Sequence, residues 1–318
     1  MSYTKTFQQI NKASVSEAGG KGASLGELTR LFGGQARANP VPPGFVVLAT
    51  AFDRFLSETG LDADVEAILK KVDHKHINSV DKASAQIRAM ILQEKMPKDL
   101  VKEIVAAYEK LPAKFVAIRS SATAEDGKAA SWAGELETYL NVTQKNLAES
   151  VMKCWSSLFT PRAIFYRFEK KQHKKPISVA VVVQEMIQAE VSGICFTVHP
   201  VTKDRNQMII EAGFGLGEAI VGGLITPDSY IIHKDNFSIL DVNVSAQNFA
   251  IVRSAKATAH KKLSTKSGSR QKLNQKQIIE LAKLCKKIEK HYHSPQDIEW
   301  AYAKGKFYIL QSRPITTL

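Results

Sequence analysis

Cysteine is scarce in this chain of 318 residues. Its three copies, Cys154, Cys195 and Cys285, are odd in number and far apart in the sequence. A disulfide framework or a structural zinc site needs paired, regularly spaced cysteines. The sequence therefore argues against both, and we expect a reducing, cytoplasmic location.

Long apolar runs are also missing. No segment approaches the roughly 20 apolar residues that a membrane helix needs, and the first ten residues have neither an apolar core nor a small-residue cleavage site, so we predict no signal peptide. There are no internal repeats. With 44% hydrophobic and 24% charged residues, the composition is typical of a globular protein, and the length fits two domains or one domain of two lobes.

Acidic residues are outnumbered, and the formal net charge is +13. Such a charge can indicate nucleic-acid binding. However, the lysines are scattered and no aromatic pattern interleaves them, so we favour a lysine-rich surface. The one dense basic tract, at 253–276, is rich in Lys, Ser and Gln and is typical of a solvated loop or edge strand. An anionic ligand would also gain from this charge.

The pattern of apolar residues predicts an α+β protein. Residues 179–187 begin with an unbroken apolar run, as expected of a central strand. Residues 275–292 have an apolar stripe at helical spacing, after Asn274 as N-cap with Gln277 placed for a capping box. We predict two lobes, 1–183 and 184–318, with the boundary near 184–187.

The C-terminal run predicts a β-hairpin with a polar face. Asp297 and Glu299 share a face of the first strand, and Gln311 and Arg313 share a face of the second. We predict a three-residue loop, 304–306, because it places these two polar sets on the same side, whereas a two-residue loop would separate them. This register pairs Glu299 with Gln311, Asp297 with Arg313, Ala303 with Phe307, Trp300 with Leu310 and Tyr302 with Tyr308.

Two interpretations of the hairpin remain open. Carboxylate and amide oxygens suit Mg²⁺, which binds through one or two carboxylates together with substrate phosphates, and Arg313 suits a phosphate. Alternatively, Asp297 and Arg313 form a cross-strand salt bridge, and Glu299 is solvated.

Two further segments are candidates for phosphate binding. Gly19-Gly-Lys-Gly22 resembles a phosphate loop, but Gly22 stands where a P-loop has Ser or Thr; Lys21 could reach a phosphate, or the strip could be a helix-entry turn. The run Arg119-Ser-Ser-Ala-Thr-Ala-Glu-Asp126 suits an anion-binding loop or, alternatively, a turn with local side-chain caps.

Two other patterns carry little weight. Gly213-Phe-Gly-Leu-Gly217 lacks the third glycine of a dinucleotide fingerprint, because Glu218 stands at the required offset. The histidine pairs at 74/76 and 291/293 would need further ligands nearby to hold a metal.

Taken together, these segments resemble the N-terminal ATP-binding domain of the phosphoenolpyruvate synthase and pyruvate phosphate dikinase family, which rifampicin phosphotransferase shares. The matching stretches cover most of the chain. They are 19–28, 41–47, 117–126, 131–142, 154–167, 179–200, 211–230 and 295–316.

The resemblance implies an ATP-grasp-like fold that holds ATP and Mg²⁺ between two lobes. By motif, Lys21 and Arg119 would hold phosphates, and Gly134 and Thr138 would lie along the phosphate or ribose path. The segment 184–187 would contact adenine, largely through its backbone. The remaining roles fall to the hairpin and this segment: Gln184, Glu185 and Ile187 for the nucleotide, Glu299 and Gln311 for Mg²⁺ with support from Asp297, and Arg313 for the transferring phosphoryl groups. Arg119, Arg313 and Glu299 would be the catalytic residues.

The family reaction implies that ATP passes its β- and γ-phosphates to a carrier histidine, that loss of phosphate leaves a phosphohistidine, and that AMP is released. The carrier domain then delivers the phosphoryl group to pyruvate. This chain lacks the carrier's Thr-Gly-Gly and histidine motif and the pyruvate-binding barrel. We therefore expect an excised domain, one subunit of a split enzyme or a remnant, with its partner domains elsewhere. Smaller departures are Glu135, where relatives often have Gln, and His293, where Gly is usual.

A rifampicin phosphotransferase-like enzyme, another dikinase or a non-catalytic nucleotide-binding protein are the alternatives to a role in phosphoenolpyruvate synthesis.

Overall fold

A computed structural model describes residues 2–33, 39–123, 136–172, 177–254 and 257–316. Helices and antiparallel sheets are mixed along the chain, which confirms the predicted α+β class. The chain divides into two compact units, Met1–Glu27 with Pro43–Met186, and Leu28–Pro42 with Ile187–Leu318. The predicted lobes differ from these units mainly in the segment Leu28–Pro42, which they place in the first lobe.

The first unit is built on a five-stranded antiparallel sheet of order β1-β2-β5-β3-β4. Its central strand β5 was expected from the apolar run at 179–183, and these five residues are fully buried. The elements are β1 (Thr4–Thr6), α1 (Val15–Phe32, whose end belongs to the second unit), β2 (Gly44–Val47), α2 (Ala49–Thr59), α3 (Leu61–Lys70), α4 (Ile77–Gln93), α5 (Lys98–Glu109), β3 (Val116–Ala122), β4 (Thr138–Val142), α6 (Leu147–Ser156), α7 (Pro161–Glu169) and β5 (Val179–Glu185).

Helix α6 packs beside β3, β4 and β5, and α4 packs on α6, where the buried core of this unit lies. Phe52 and Phe55 of α2 contact the indole of Trp155, with ring centroids 5.7 and 5.1 Å apart. Removing these large rings from water supplies much of the driving force for folding. The core thus supports one face of the sheet, and α1 contacts the other.

The second unit contains a six-stranded antiparallel sheet of order β13-β12-β6-β7-β8-β9 and a separate two-stranded ribbon, β10-β11. The predicted basic tract forms part of this ribbon and the short helix after it. The elements are β6 (Val191–Phe196), β7 (Gln207–Phe214), α8 (Glu218–Val221), β8 (Asp228–His233), β9 (Ile239–Asn243), β10 (Phe249–Arg253), β11 (Thr258–Lys262), α9 (Thr265–Gly268), α10 (Gln275–Tyr292), β12 (Gln296–Ala303) and β13 (Lys306–Pro314).

Helix α10 has the predicted bounds. The Asn274 side chain accepts a hydrogen bond from the Gln277 backbone N–H, and the Gln277 side chain accepts one from the Asn274 backbone N–H, as in a capping box. His293 ends the helix in the left-handed region, with φ 53°. Glycine adopts that region without strain, and His293 adopts it here as well, so the helix still ends in a left-handed turn.

The hairpin loop is shorter than predicted. Ala303 pairs with Lys306, so the loop is the two residues Lys304 and Gly305, both with positive φ (52° and 74°). This is the backbone of a type I′ turn, which matches the twist of the strands it joins. The predicted pairs Ala303–Phe307, Trp300–Leu310 and Tyr302–Tyr308 are therefore wrong; the actual partners are Lys306, Ile309 and Phe307 respectively.

A β-bulge in β13 restores the register beyond the turn. Leu310 is inserted between Ile309, which faces Trp300, and Gln311, which faces Glu299. One extra residue on one strand reverses the sides of everything after it. The predicted pairs Glu299–Gln311 and Asp297–Arg313 are therefore confirmed, although the predicted reason for them was wrong.

The second unit also contains a buried ion pair, which lies outside the hairpin. Lys272 Nζ lies 2.8 Å from Asp228 Oδ1, and both side chains are inaccessible to solvent. The carboxylate also accepts from the Lys272 and Ser245 backbone N–H groups and from the Tyr230 hydroxyl. Its charge is thus fully compensated, as burial requires. Throughout the part of the chain that the structure describes, no helix combines the length and apolar character needed to cross a bilayer.

Candidate functional site

The first unit brings three predicted nucleotide ligands to one face of its sheet. Arg119 of β3 lies directly opposite Thr138 of β4, and Ala117 lies opposite Gln184 of β5. Side chains two residues apart on a strand share a face, so Arg119, Thr138 and Gln184 point the same way. Arg119 Nη1 donates to Gln184 Oε1 at 3.1 Å, and Gln184 is almost fully buried. The guanidinium is thus held in place by a neighbouring strand.

The glycine strip lies against the same face. Helix α1 is interrupted at Gly19, where φ is 66° and ψ 174°, and helical geometry resumes after it. A Cβ at Gly19 would lie 2.3 Å from the Ser121 carbonyl oxygen, so only glycine permits this approach. Lys21 therefore stands in the first turn of the resumed helix, where backbone N–H groups and the helix dipole favour anions.

The two serines after Arg119 serve the fold. Ser121 Oγ accepts from the Gly22 N–H at 3.2 Å and donates to the Ala18 carbonyl at 3.0 Å, which ties the glycine strip to β3. Ser120 points to the other face and bonds the Ser157 hydroxyl and the Cys154 carbonyl oxygen. Both hydroxyls are thus engaged in hydrogen bonds within the fold. Of the predicted loop, 124–126 lie outside the described residues.

The segment proposed for adenine has two of its backbone donors already engaged. The Glu185 N–H donates to the Pro43 carbonyl at 2.9 Å, and the Met186 N–H donates to the Phe115 carbonyl at 3.0 Å. A backbone contact with adenine through Glu185 must therefore use its carbonyl group, which is an acceptor. Ile187, the other predicted contact, begins the second part of the second unit.

In the second unit, the four polar side chains of the hairpin lie on one face of the sheet. Asp297 pairs with Arg313 and Glu299 with Gln311. Arg313 donates from Nε at 2.8 Å and from Nη2 at 2.6 Å to Asp297 Oδ2. The salt bridge of the alternative interpretation is therefore formed. It also fixes the direction of a half-exposed guanidinium, which a phosphate site requires.

Glu299 and Gln311 suit a Mg²⁺ ion by their chemistry. Within the described ranges, neither side chain makes a hydrogen bond or an ion pair, and no three His, Cys, Asp or Glu residues there are grouped to hold a metal by themselves. One carboxylate and one amide oxygen are the small protein contribution expected when phosphates and water complete an octahedral shell.

Sequence reasoning missed one carboxylate on this face. Glu211 of β7 lies opposite Ile194 of β6, which in turn lies opposite Glu299. Burial raises the pKa of Glu211, and the charge of Asp297 raises it further. No signal in the sequence pointed to this placement, because it depends on the pairing of β7 with β6. Gly134, in contrast, lies outside the described residues.

Comparison with known proteins identifies the family. Residues 15–318 match the family described as pyruvate phosphate dikinase, AMP/ATP-binding domain. This chain belongs to that family.

The curated relatives of this domain are longer proteins. They include the probable phosphoenolpyruvate synthase of Methanocaldococcus jannaschii (42% identical, covering 100% of this chain and 27% of that protein) and the phosphoenolpyruvate synthase of Pyrococcus furiosus (38%, 99% and 44%). The rifampicin phosphotransferase of Bacillus cereus is 38% identical and matches over 100% of this chain and 36% of its own length. The chain thus spans less than half the length of these relatives.

Among solved structures, D-alanine-D-alanine ligase from Helicobacter pylori matches 67% of this chain and 46% of its own, with 14% identity and a TM-score of 0.29.

Proposed function

We propose that this chain binds ATP with Mg²⁺ and passes phosphoryl groups to a carrier histidine on another domain or chain, with AMP as the product. The observation that carries the proposal is the hairpin face, where Glu299, Gln311 and an oriented Arg313 stand together in a member of this AMP/ATP-binding family. The first unit adds Arg119 and Thr138 on one face of its own sheet, and Lys21 on helix α1, whose Gly19 lies against Ser121 of that sheet.

In this proposal each residue has a defined task. Lys21 and Arg119 hold phosphates, Thr138 and Gly134 lie along the phosphate or ribose path, and Gln184, Glu185 and Ile187 surround the adenine. Glu299 and Gln311 hold Mg²⁺, which neutralises phosphate charge when bound. Asp297 holds the guanidinium of Arg313, which binds the transferring phosphoryl groups. Such a site works mainly by positioning and by electrostatic stabilisation.

The proposed transfer is a substitution at phosphorus and requires no oxidant or reductant. A nitrogen of the carrier histidine attacks the β-phosphorus, the bond between the α,β-bridging oxygen and the β-phosphorus breaks, and AMP leaves with that oxygen. Hydrolysis of the terminal phosphate then leaves a phosphohistidine. The matches to phosphoenolpyruvate synthases support pyruvate as the final acceptor of the phosphoryl group. The match to a rifampicin phosphotransferase supports the second candidate, an antibiotic acceptor.

Calorimetric titration with ATP tests the binding step. We expect affinity to depend on Mg²⁺ and to fall at least about tenfold in Arg313→Ala, whereas Arg205→Ala, which removes an exposed arginine of the same unit, should bind as the wild type does. Equal binding by both variants would contradict the role of Arg313.

A second experiment tests the transfer. The chain is mixed with ATP, Mg²⁺ and the separately expressed carrier domain of a longer relative. We expect AMP and an acid-labile phosphate on the carrier histidine; ATP binding without AMP would leave the non-catalytic nucleotide-binding alternative. The three buried thiols are in keeping with a proposed cytoplasmic location.

A further inference from the structure

A polar network lies beside β4, on the other side of the sheet from the Thr138 side chain. Arg88 of α4 donates from Nη2 to both carboxylate oxygens of Glu137, at 2.9 Å each. The Tyr139 hydroxyl donates to Glu137 Oε2. Arg88 comes from helix α4, and Glu137 and Tyr139 flank Thr138 in the chain. The Glu137 carboxylate is therefore held by a donor from the helix and by a donor from the strand.

The position of Glu137 in the chain gives the network its importance. Glu137 directly precedes Thr138, and Tyr139 directly follows it, so both immediate neighbours of Thr138 are fixed by the same network. The Glu137 carbonyl oxygen also accepts from the backbone N–H of Ser120 at 3.3 Å and from its hydroxyl at 3.2 Å. Ser120 is the residue after Arg119. The network therefore fixes the backbone where Thr138 faces Arg119.

The chemistry of the network favours a positioning role over a stabilising one. The side chains of Arg88 and Glu137 are 27% and 33% exposed, and an ion pair with this access to water contributes little to the free energy of folding. Two charge-assisted hydrogen bonds to one carboxylate nevertheless fix its orientation strongly. Burial and the neighbouring carboxylate also raise the pKa of Tyr139, so its hydroxyl remains a donor at every physiological pH.

We propose that Arg88, Glu137 and Tyr139 are positioning residues for the nucleotide site, which act by holding Thr138 opposite Arg119 and make no contact with ATP themselves. This inference rests on the proposed function, since it assigns the network a part in ATP binding.

The test compares two arginines of the same unit by calorimetric titration with ATP and Mg²⁺. Arg88→Gln breaks the network. Arg54→Gln breaks a similar set of ion pairs, from Arg54 to Glu58 and Asp99, in which the arginine is 23% exposed. Arg54 lies in α2, which carries none of the proposed ATP ligands. We expect Arg88→Gln to weaken ATP binding about tenfold, Arg54→Gln to leave it unchanged, and Arg88→Lys to recover part of the loss.

A double variant separates positioning from general damage. If Arg88 acts through Thr138, adding Thr138→Ala to Arg88→Gln should weaken ATP binding no more than Thr138→Ala does alone. The inference is overturned if the loss of affinity in the double variant equals the product of the losses in the two single variants. It is also overturned if Arg88→Gln and Arg54→Gln lose equal affinity.

Wild-type and folding controls complete the design. If the folded wild-type chain binds no ATP, the proposed function fails and this inference fails with it; binding by the wild type with no selective loss in Arg88→Gln overturns the inference alone. Should thermal unfolding show that Arg88→Gln is not folded, Tyr139→Phe decides. Weaker ATP binding by folded Tyr139→Phe supports the network's role, and unchanged binding overturns it.

Discussion

Glu299 and Gln311 lie directly opposite each other on β12 and β13, although the two-residue turn that joins these strands would by itself set them on opposite faces. The inserted Leu310 accounts for the difference. Turn and bulge each shift the register by one residue, and the two shifts cancel at the polar pair. The metal-binding chemistry proposed for this hairpin thus depends on an apolar residue that belongs to neither polar set.

Replacing Glu299 by Gln should remove most of the Mg²⁺ dependence of ATP binding. The amide has no charge and is a weaker ligand for this hard cation. We expect affinity measured with Mg²⁺ to fall about tenfold and affinity without Mg²⁺ to change little, as determined by calorimetry. Glu280→Gln, on the exposed side of α10, is the matched control. An intact Mg²⁺ dependence in Glu299→Gln would rule out this residue as a ligand.

Replacing Gly19 by Ala should destabilise the first unit by about 3 kcal/mol, because the added Cβ collides with the Ser121 backbone and the positive φ is strained. Gly60→Ala is the control: its φ of 72° is similar, but a Cβ there meets nothing within 4 Å. That variant should lose only about 1 kcal/mol. Urea unfolding measures both, and equal losses would show that the contact with Ser121 is unimportant.

Replacing Lys272 by Met should cost about 3 kcal/mol of stability, since the buried carboxylate of Asp228 keeps its charge and loses its cation. Lys286→Met makes the same chemical change in a pair whose side chains are 37% and 75% exposed, and it should cost less than about 1 kcal/mol. Chemical denaturation gives both values. A loss of similar size in the two variants would mean that burial of the first pair has no energetic weight.

The three cysteines should react slowly with a disulfide reagent such as DTNB while the protein is folded. All are buried. Burial raises the pKa of Cys154 to about 12. The pKa of Cys195 is raised mainly by burial and further by its hydrogen bond with Cys285. Because the thiolate is the reactive form, only about one Cys154 side chain in 10⁴ is ionised at pH 8. Guanidinium should expose three rapidly reacting thiols. A fast phase in native buffer would contradict this burial.

Helix α10 and strand β5 could be predicted from the sequence because their signals are local. Asn274 and Gln277 form a capping box within four residues, and the apolar start of β5 needs no partner to be recognised as buried. Helix α10 has the predicted bounds, and β5 begins at the predicted residue but ends at Glu185, two residues before the predicted end.

The hairpin and the Arg119 segment show where local signals end. The sequence contains Leu310, but only the pairing of two strands makes it a bulge. Ser120 and Ser121 were interpreted as part of an anion-binding loop or a turn with local caps. They lie instead in β3, and their partners lie 37 and 103 residues away. Glu211 joins the acidic face only through β6, a strand that was not predicted. Distant pairing decided each of these outcomes.

The hydrogen bonds of Ser121 affect how readily the first unit would bind a nucleotide. Its hydroxyl joins the glycine strip that carries Lys21 to the strand that carries Arg119, so these two cations are spaced before any anion arrives. A triphosphate that binds both cations therefore need not order these two segments relative to each other, which lowers the entropic cost of binding. Loosening Ser121 should therefore slow capture and hasten release of the nucleotide, even with both cations still present.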